Sequence, residues 1–300
     1  MLLDTIVGAI LHPSKLLKVL INMGLLNAMD DESYIRLCYH LHTGKVLDLN
    51  NPKTFNEKIQ WLKLNYRRPE YTTLVDKYKV REYIANTIGG EYLTPLLGVW
   101  ERAEDIDFNA LPDQFVLKCN HNSGIGMCIC TDKSKLDTSK VRRELNRGLR
   151  QDYYLTGREW AYNNVPRRII AEQYLTDDGF GLKDYKFFCF NGEPRLIQVD
   201  FDRFVGHKRN LYTTDWQYFN GEIEYPADPN VMIPRPETLN IMLDLARKLS
   251  AGYPHVRIDF YSIKGKVYFG EMTFYHGSGY EHFSPASLGE MMGGWMNLVG

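Results

Sequence analysis

Net charge, cysteine and long apolar runs are all scarce in this 300-residue chain. Lys and Arg number 36 against 37 Asp and Glu, a formal net charge of -1. No broad positive field exists to gather a nucleic-acid backbone, so nucleic acid is not expected as a partner. The five cysteines, Cys38, Cys119, Cys128, Cys130 and Cys189, are odd in number and sit mostly in apolar strand-like runs. They are expected to be reduced core residues of a cytosolic protein, not a disulfide framework. Cys128-x-Cys130 has no second pair at zinc spacing. The apolar N-terminus is broken by Pro13 and Lys15, far short of the ~20 residues a membrane span needs, and lacks a basic leader. Ser14 to Leu26 reads as an amphipathic helix that packs on the domain or touches a membrane surface. There is no internal repeat and no low-complexity tract. Neither a Gly-Lys-Ser/Thr loop opening a helix nor a Rossmann glycine fingerprint is present.

What is present is a globular composition: 44% hydrophobic, 24% charged and 13% aromatic, in a length that suits two or three sub-domains. The first ninety residues read as helices. Asp30 to Leu41 has helical spacing and stops near Thr43-Gly44. Thr54-Phe-Asn-Glu57 is a capping box opening a helix to about Tyr66. A further helix is expected from Thr73 to Ile88, with Asp76, Lys77, Lys79 and Arg81 as a solvated charged face. From Glu91 the period becomes that of strands. Gln114 to Asn120 embeds Lys118 among apolar residues, where a bare ammonium is costly without an anion. The loop His121-Asn-Ser-Gly-Ile-Gly126 then leads into the short strand Met127 to Cys130. Such a hairpin loop can close its N–H groups over phosphates, although polar glycine loops are commonly plain turns.

Ser139 to about Tyr154 reads as a basic solvated helix, and Pro166 to Leu175 as a strand. Asn191-Gly192 between two apolar arms is a type I′ hairpin signal. On its first arm Asp184 and Lys186 share a face with Phe188 and Phe190. Pro236 to Ser250 is an amphipathic helix with Leu239, Met242, Leu243, Ala246 and Leu249 as its stripe. It feeds a second hairpin, His255 to Thr273, whose arms carry Asp259 and Glu271. An even loop sets these two acids on opposite faces and an odd loop sets them on the same face. A three-residue loop, Ile263 to Gly265, is the odd solution expected here. Asp259, Glu271 and Thr273 then form an all-oxygen site of the kind Mg²⁺ takes. The plain alternative is a pair of solvent-facing acids.

This order of elements resembles the ATP-grasp fold. Phe55-Asn-Glu-Lys-Ile-Gln-Trp-Leu-Lys63, Asp184-Tyr-Lys-Phe-Phe-Cys-Phe-Asn-Gly192, Val256-Arg-Ile-Asp-Phe-Tyr261 and Phe269-Gly-Glu-Met-Thr-Phe274 resemble its TupA-like branch, over roughly residues 30 to 290. That branch is associated with teichuronopeptide and other surface-polysaccharide biosynthesis. The resemblance implies an α+β chain: two antiparallel-sheet sub-domains gripping a nucleotide, after a helical N-terminal region. The expected boundaries are 1–90 helical, 91–170 small sub-domain with the glycine flap, and 171–300 large sub-domain with the metal hairpin.

The implied cofactors are ATP and Mg²⁺. Lys118 would meet phosphates, and His121, Asn122, Ser123, Gly124 and Gly126 would cover them. Glu172, Gln173, Tyr174 and Leu175 would form the adenine hinge, with Glu172 or Asp184 for the ribose and Lys186 as second phosphate ligand. Asp259 and Glu271 would hold the metal. Thr273 stands where many ATP-grasp enzymes have Asn, which puts its ligand role in question. Arg203 and Arg257 would face the developing oxyanion, or else pair with Asp202 and Asp259. His276 and Ser278 would meet the acceptor. The implied reaction is a carboxylate–amine ligation through an acylphosphate, on a small or sugar-linked carboxylate and an amine; the alternatives are a glycosyltransferase of the same pathway, a phosphotransferase on the same fold, or a nucleotide-binding module without turnover. The expected location is cytoplasmic or membrane-peripheral, beside polysaccharide-assembly enzymes.

Overall fold

The computed structural model describes residues 19–21, 23–177, 182–201 and 206–298. Residues 14–18 and 22 of the helix expected from Ser14 to Leu26 lie outside these residues, as do Asp202 and Arg203. No described helix is long and apolar enough to cross a membrane.

The chain opens on helices α1 (Asp31–Thr43) and α2 (Phe55–Asn65). Asp30 caps α1 by accepting from the Ser33 N–H at 2.9 Å, and Gly44 ends it in the left-handed conformation at φ 72°. Both halves of the α2 capping box form: Glu57 N–H donates to Thr54 Oγ1 at 3.3 Å, and Thr54 N–H donates to Glu57 Oε2 at 2.9 Å.

The next helix departs from expectation. Instead of one element there are two, α3 (Glu70–Val75) and α4 (Val80–Thr87). Asp76 leaves helical backbone at ψ 107° and turns its carboxylate inward. That carboxylate accepts from Tyr78 N–H at 2.8 Å, Lys79 N–H at 3.2 Å and Asn120 Nδ2 at 2.7 Å. Asp76 is buried, so this stretch is not the solvated face that its charge suggested.

Strands β1 (Leu96–Trp100), β2 (Phe115–Cys119), β3 (Met127–Cys130) and β4 (Ile169–Gln173) form an antiparallel sheet in the order β1-β4-β2-β3. Between β3 and β4 run α5 (Thr138–Arg150) and the short α6 (Tyr153–Gly157). Phe115, Leu117, Ile169 and Ala171 bury one face of this sheet with Val141 and Leu145 of α5. The opposite face carries Val116, Lys118 and Glu172, by strand alternation.

The larger sheet comprises β5 (Asp184–Phe190), β6 (Glu193–Phe201), β7 (Lys208–Tyr212), β8 (Tyr218–Phe219), β10 (His255–Ile263) and β11 (Lys266–Thr273), in the order β11-β10-β5-β6-β7-β8. A small ribbon pairs β9 (Glu222–Ile223) with β12 (Phe283–Ser284), and α8 (Ala286–Trp295) follows. Asn191 at φ 50° and Gly192 at φ 86° make the expected tight turn between β5 and β6. Helix α7 (Leu239–Ser250) buries its stripe in the same core as Val256, Ile258, Phe260, Phe187 and Ile197. Each larger apolar side chain there contributes roughly 1.5–3 kcal/mol of burial, which leaves the other face of the sheet to charged groups.

The β10–β11 loop corrects the expected parity argument. Ile263 pairs with Lys266, so the loop is the two residues Lys264 and Gly265, at φ 50° and 76°. Alone, that even loop would send Asp259 and Glu271 to opposite faces. A bulge intervenes, because Phe260 pairs with Phe269 while Asp259 pairs with Glu271, leaving Gly270 over. The extra residue restores the shared face. A Cβ on Gly270 would sit only 3.0 Å from the Asp259 carbonyl, so the bulge fits a glycine there.

Candidate active site

Arg257 is the centre of the site. It lies two residues from Asp259 on β10 and shares its face, so the guanidinium folds back along the strand. Its Nε donates to Asp259 Oδ1 at 2.7 Å, and Nη2 donates to Asp259 Oδ2 at 2.7 Å and to Glu271 Oε1 at 2.8 Å. Nη1 donates to His276 Nδ1 at 2.5 Å. Four of five N–H groups are thereby used, leaving one on Nη1. Thr273 donates its hydroxyl to Glu271 Oε1 at 3.2 Å. Burial alone would raise the Glu271 carboxyl; Arg257, Lys77 and Lys186 outweigh it and hold the group at about 2.

Lys186, on β5, faces Asp259 across the rung. Its Nζ pairs with Asp184, reaches Asp259 Oδ2 at 3.2 Å and lies 3.7 Å from Asp200 Oδ2. Asp200 in turn accepts from Arg209 Nε at 2.7 Å. Among the described residues the cluster gathers five carboxylates (Asp184, Asp200, Asp259, Glu271, Glu281) against three cations (Lys186, Arg209, Arg257). Among the described residues no group of three or more His, Cys, Asp or Glu forms a closed metal cage. The two carboxylates and the hydroxyl instead suit Mg²⁺, which keeps open positions for substrate oxygens.

His276 backs onto Arg257. Since Nδ1 accepts from the guanidinium, Nε2 carries the proton, and it lies 2.6 Å from Glu281 Oε2. Burial holds His276 below the usual imidazole range, in its neutral form. The turn that presents it, His276–Gly279, has positive φ at Gly277, Ser278 and Gly279. Two fully buried residues of α2 hold that turn. Gln60 Nε2 donates to the Ser278 and Gly279 carbonyls at 2.9 and 2.8 Å. Lys63 Nζ donates to the Gly157 carbonyl at 2.8 Å, the Ser278 carbonyl at 2.7 Å and Ser278 Oγ at 2.9 Å. Ser278 is thus a partner of Lys63.

On the small sheet, Lys118 Nζ pairs with Glu172 Oε2 at 2.6 Å, and Arg81 reaches Glu172 Oε1 at 3.3 Å. Lys118 shares a rung with Met127 and Ile170, and Val116 one with Ile129 and Glu172. Met127 and Ile129 are exposed, so Lys118 stands at the end of an apolar wall. Lys77 donates to the Asn122 carbonyl at 2.7 Å, within the fields of Glu271, Lys118 and Glu172. Burial lowers its ammonium below the usual lysine range, the carboxylates opposing.

The loop residues divide in two. His121 and Asn122 are buried and tie the loop to the body, at 3.2 Å to the Gln151 carbonyl and 3.2 Å to the Gly148 carbonyl. Gly126 presses on Gly148, where a Cβ would meet its Cα at 2.8 Å. Ser123 and Gly124 form the exposed tip. Of the two acids offered to a ribose, Glu172 sits with Lys118 while Asp184 is buried against Lys186. Gln173 is exposed and Tyr174 and Leu175 half-buried as the chain leaves the small sheet.

The model of the TupA-like ATPgrasp family matches residues 57–297 of this sequence. The chain belongs to the TupA-like ATP-grasp family.

Three solved structures are similar to it in part. The D-alanine–D-alanine ligase from Bacillus anthracis complexed with ATP is 15% identical, covering 67% of this chain and 54% of its own, at TM-score 0.39. The D-alanine–D-alanine ligase from Helicobacter pylori is 14% identical over 76% and 64%, at 0.41. The N5-carboxyaminoimidazole ribonucleotide synthetase from Thermus thermophilus is 11% identical over 67% and 45%, at 0.37. This chain therefore spans less than two thirds of the length of each. A search of curated proteins finds no match.

In this TupA-like ATP-grasp chain, sequence reasoning missed Gln60, Lys63, Lys77, Arg81 and the Met127–Ile129 wall. Lys63 had a signal, lying on the α2 face turned inward with Ile59 and Leu62. Lys77 and Arg81 had none, because their neighbours are charged as well.

Proposed function

We propose that this chain is an ATP- and Mg²⁺-dependent carboxylate–amine ligase. It joins an amine or amino acid to a uronic acid or peptide carboxylate during surface-polysaccharide assembly, at the cytoplasmic face of the membrane. The observation that carries this is the meeting of Asp259, Glu271, Arg257 and Lys186 on one sheet face, with Lys77 within the fields of both Glu271 and Lys118. Family membership supports the reaction class.

In this reading Val116, Met127 and Ile129 offer the flat apolar wall for a base, and the Gln173–Leu175 segment offers its backbone to the base edge. Lys118 and Lys77 meet the phosphates, and the N–H groups at Ser123 and Gly124 close over them. Mg²⁺, when bound at Asp259 and Glu271, would screen phosphate oxygens as charge moves between them. Lys186 stands beside the same oxygens as a fixed cation. The remaining Nη1–H of Arg257 is placed for the oxyanion that forms when an amine attacks the acylphosphate. His276 keeps that guanidinium in plane. The buried charged groups, already fixed by the fold, keep reorganisation small during reaction.

The test is ADP release with Mg²⁺ and ATP, screening uronic acids and UDP-uronic acids against amino acids. A pair that stimulates release, and fails to do so in Asp259→Asn, supports the ligase. No stimulation by any pair sinks it.

A further inference from the structure

A cavity of about 310 Å³ lies outside the nucleotide cleft, between α1, the start of α2 and the Tyr280–Phe283 segment leading to α8. Its wall is aromatic. His42 and Tyr280 stack there with ring centroids 4.7 Å apart and 14° between planes, and Phe283 lines the cavity beside them. Phe283 presses on Gly289, where a Cβ would come within 3.2 Å of its ring, so the wall is fixed from behind. Polar groups share the lining: Lys45, His282 and Glu281. His42 Nδ1 donates to the Cys38 carbonyl at 2.8 Å, leaving Nε2 as an acceptor. Asn56 gives its amide to the Glu281 carbonyl at 2.9 Å and fixes that segment to α2.

We infer that this cavity binds a single sugar ring carrying an acidic group. Its volume stands at the lower end of the range of ligand pockets, about 300–1,000 Å³, which suits one six-membered ring. Flat aromatic faces pack against the C–H face of a pyranose, while carboxylate, imidazole and ammonium groups serve its hydroxyls. Lys45 and His282 are exposed at its rim, where they can reach the hydroxyls of a polar ring. Lys45 supplies a cation for an acidic substituent.

The cavity is also connected to the reacting centre. Glu281 is a shared wall, lining it while lying 2.6 Å from His276 Nε2, and His276 in turn accepts from Arg257. The sugar ring thus sits one side chain behind the Arg257 support. This deepens the ligase reading by giving the sugar-linked substrate its seat, and rests on that reading for the role of the sugar, not for its binding.

The experiment is calorimetric titration of the whole chain with D-glucuronic acid and with D-glucose. Two variants are compared: Ala286→Trp, which fills the cavity from an exposed helix start, and Lys45→Ala. The expected result is saturable binding of both sugars, tighter for glucuronic acid. Ala286→Trp weakens both about tenfold or more, while Lys45→Ala removes the preference for the acid. Binding that neither variant changes, or no binding of either sugar, overturns the inference. ADP release is followed in parallel. Sugar binding without any stimulated release leaves the cavity standing and removes the ligase reading; release without sugar binding does the reverse.

Discussion

Asp259 and Glu271 share one rung because Gly270 bulges out between Glu271 and Phe269. Gly270→Val sets a Cβ 3.0 Å from the Asp259 carbonyl and disfavours the bulge, so the hairpin shifts to the regular even ladder, in which Asp259 faces residue 270 and Glu271 turns away from Arg257. The expected outcome is a folded protein, by circular dichroism, whose Mg²⁺-dependent ATP turnover falls by about two orders of magnitude or more. Gly265→Ala, in the turn at φ 76°, should instead cost about 1 kcal/mol of stability and leave turnover intact. Equal turnover in Gly270→Val and the parent would show that the shared face is not needed.

Arg257→Met leaves Asp259 and Glu271 facing each other without their common donor. Removing one partner of such a buried network costs about 3–5 kcal/mol. Denaturant unfolding should show that loss, and added Mg²⁺ should recover part of it by replacing the missing positive charge. Arg257→Lys keeps the charge but cannot span both carboxylates and His276, so its kcat should fall with KM for ATP little changed. A variant as stable as the parent without Mg²⁺ would argue against this network.

Lys63 donates three hydrogen bonds that fix the His276–Gly279 turn. Lys63→Met strands those acceptors and should destabilise the chain by about 2–4 kcal/mol. If the turn positions His276 behind Arg257, kcat falls further than the stability loss explains at a temperature where the variant is fully folded. Unchanged kcat under those conditions would confine Lys63 to a structural role.

Lys77→Ala removes the donor held on the Asn122 carbonyl at 2.7 Å and a cation within the field of Glu271. The expected effect is a weaker ATP complex, about tenfold, with global stability nearly unchanged. Equilibrium binding of ATP with Mg²⁺ reads this directly. Parent-like affinity would return Lys77 to the solvated role its sequence context suggested.

His255 is buried among Phe55, Phe188 and Phe190, and its Nδ1 donates to the Cys189 carbonyl at 2.9 Å. Burial depresses it to about 3, from an ordinary value of 6.5. The folded chain therefore stays neutral there while the unfolded chain takes up a proton below pH 6.5. Stability should fall as pH drops from 6.5 towards 3, by about 1.4 kcal/mol per pH unit for this group. Glu271, lowered to about 2, stabilises above 4.5 and loses that contribution only as pH falls from 4.5 towards 2. Between 4.5 and 6.5 the buried imidazoles act against Asp259 and Glu159, whose carboxyls burial raises and which add stability as pH falls. His121 and His276, lowered by burial as well, add in the same direction as His255. His255→Phe should reduce the slope of unfolding free energy against pH in that window; an unaltered slope would mean His255 titrates freely.

Local rules carried much of the fold. The capping box at Thr54 and Glu57, the Asn191-Gly192 turn and the α7 stripe each depend on residues within four positions of one another, so they are legible in order along the chain. The two-sheet α+β architecture followed from their sequence and from the resemblance of several motifs in one order. Tertiary structure alone decided the rest. Asp76 breaks a helix to serve Asn120, 44 residues away, and Lys63 meets Ser278 across 215. A buried charge is stable only with its partner, and nothing within a helical turn announces a partner that distant. The face shared by Asp259 and Glu271 has the same origin: a loop length read from sequence fixes parity only in a regular ladder, and the Gly270 bulge exists only in the pairing of β11 with β10.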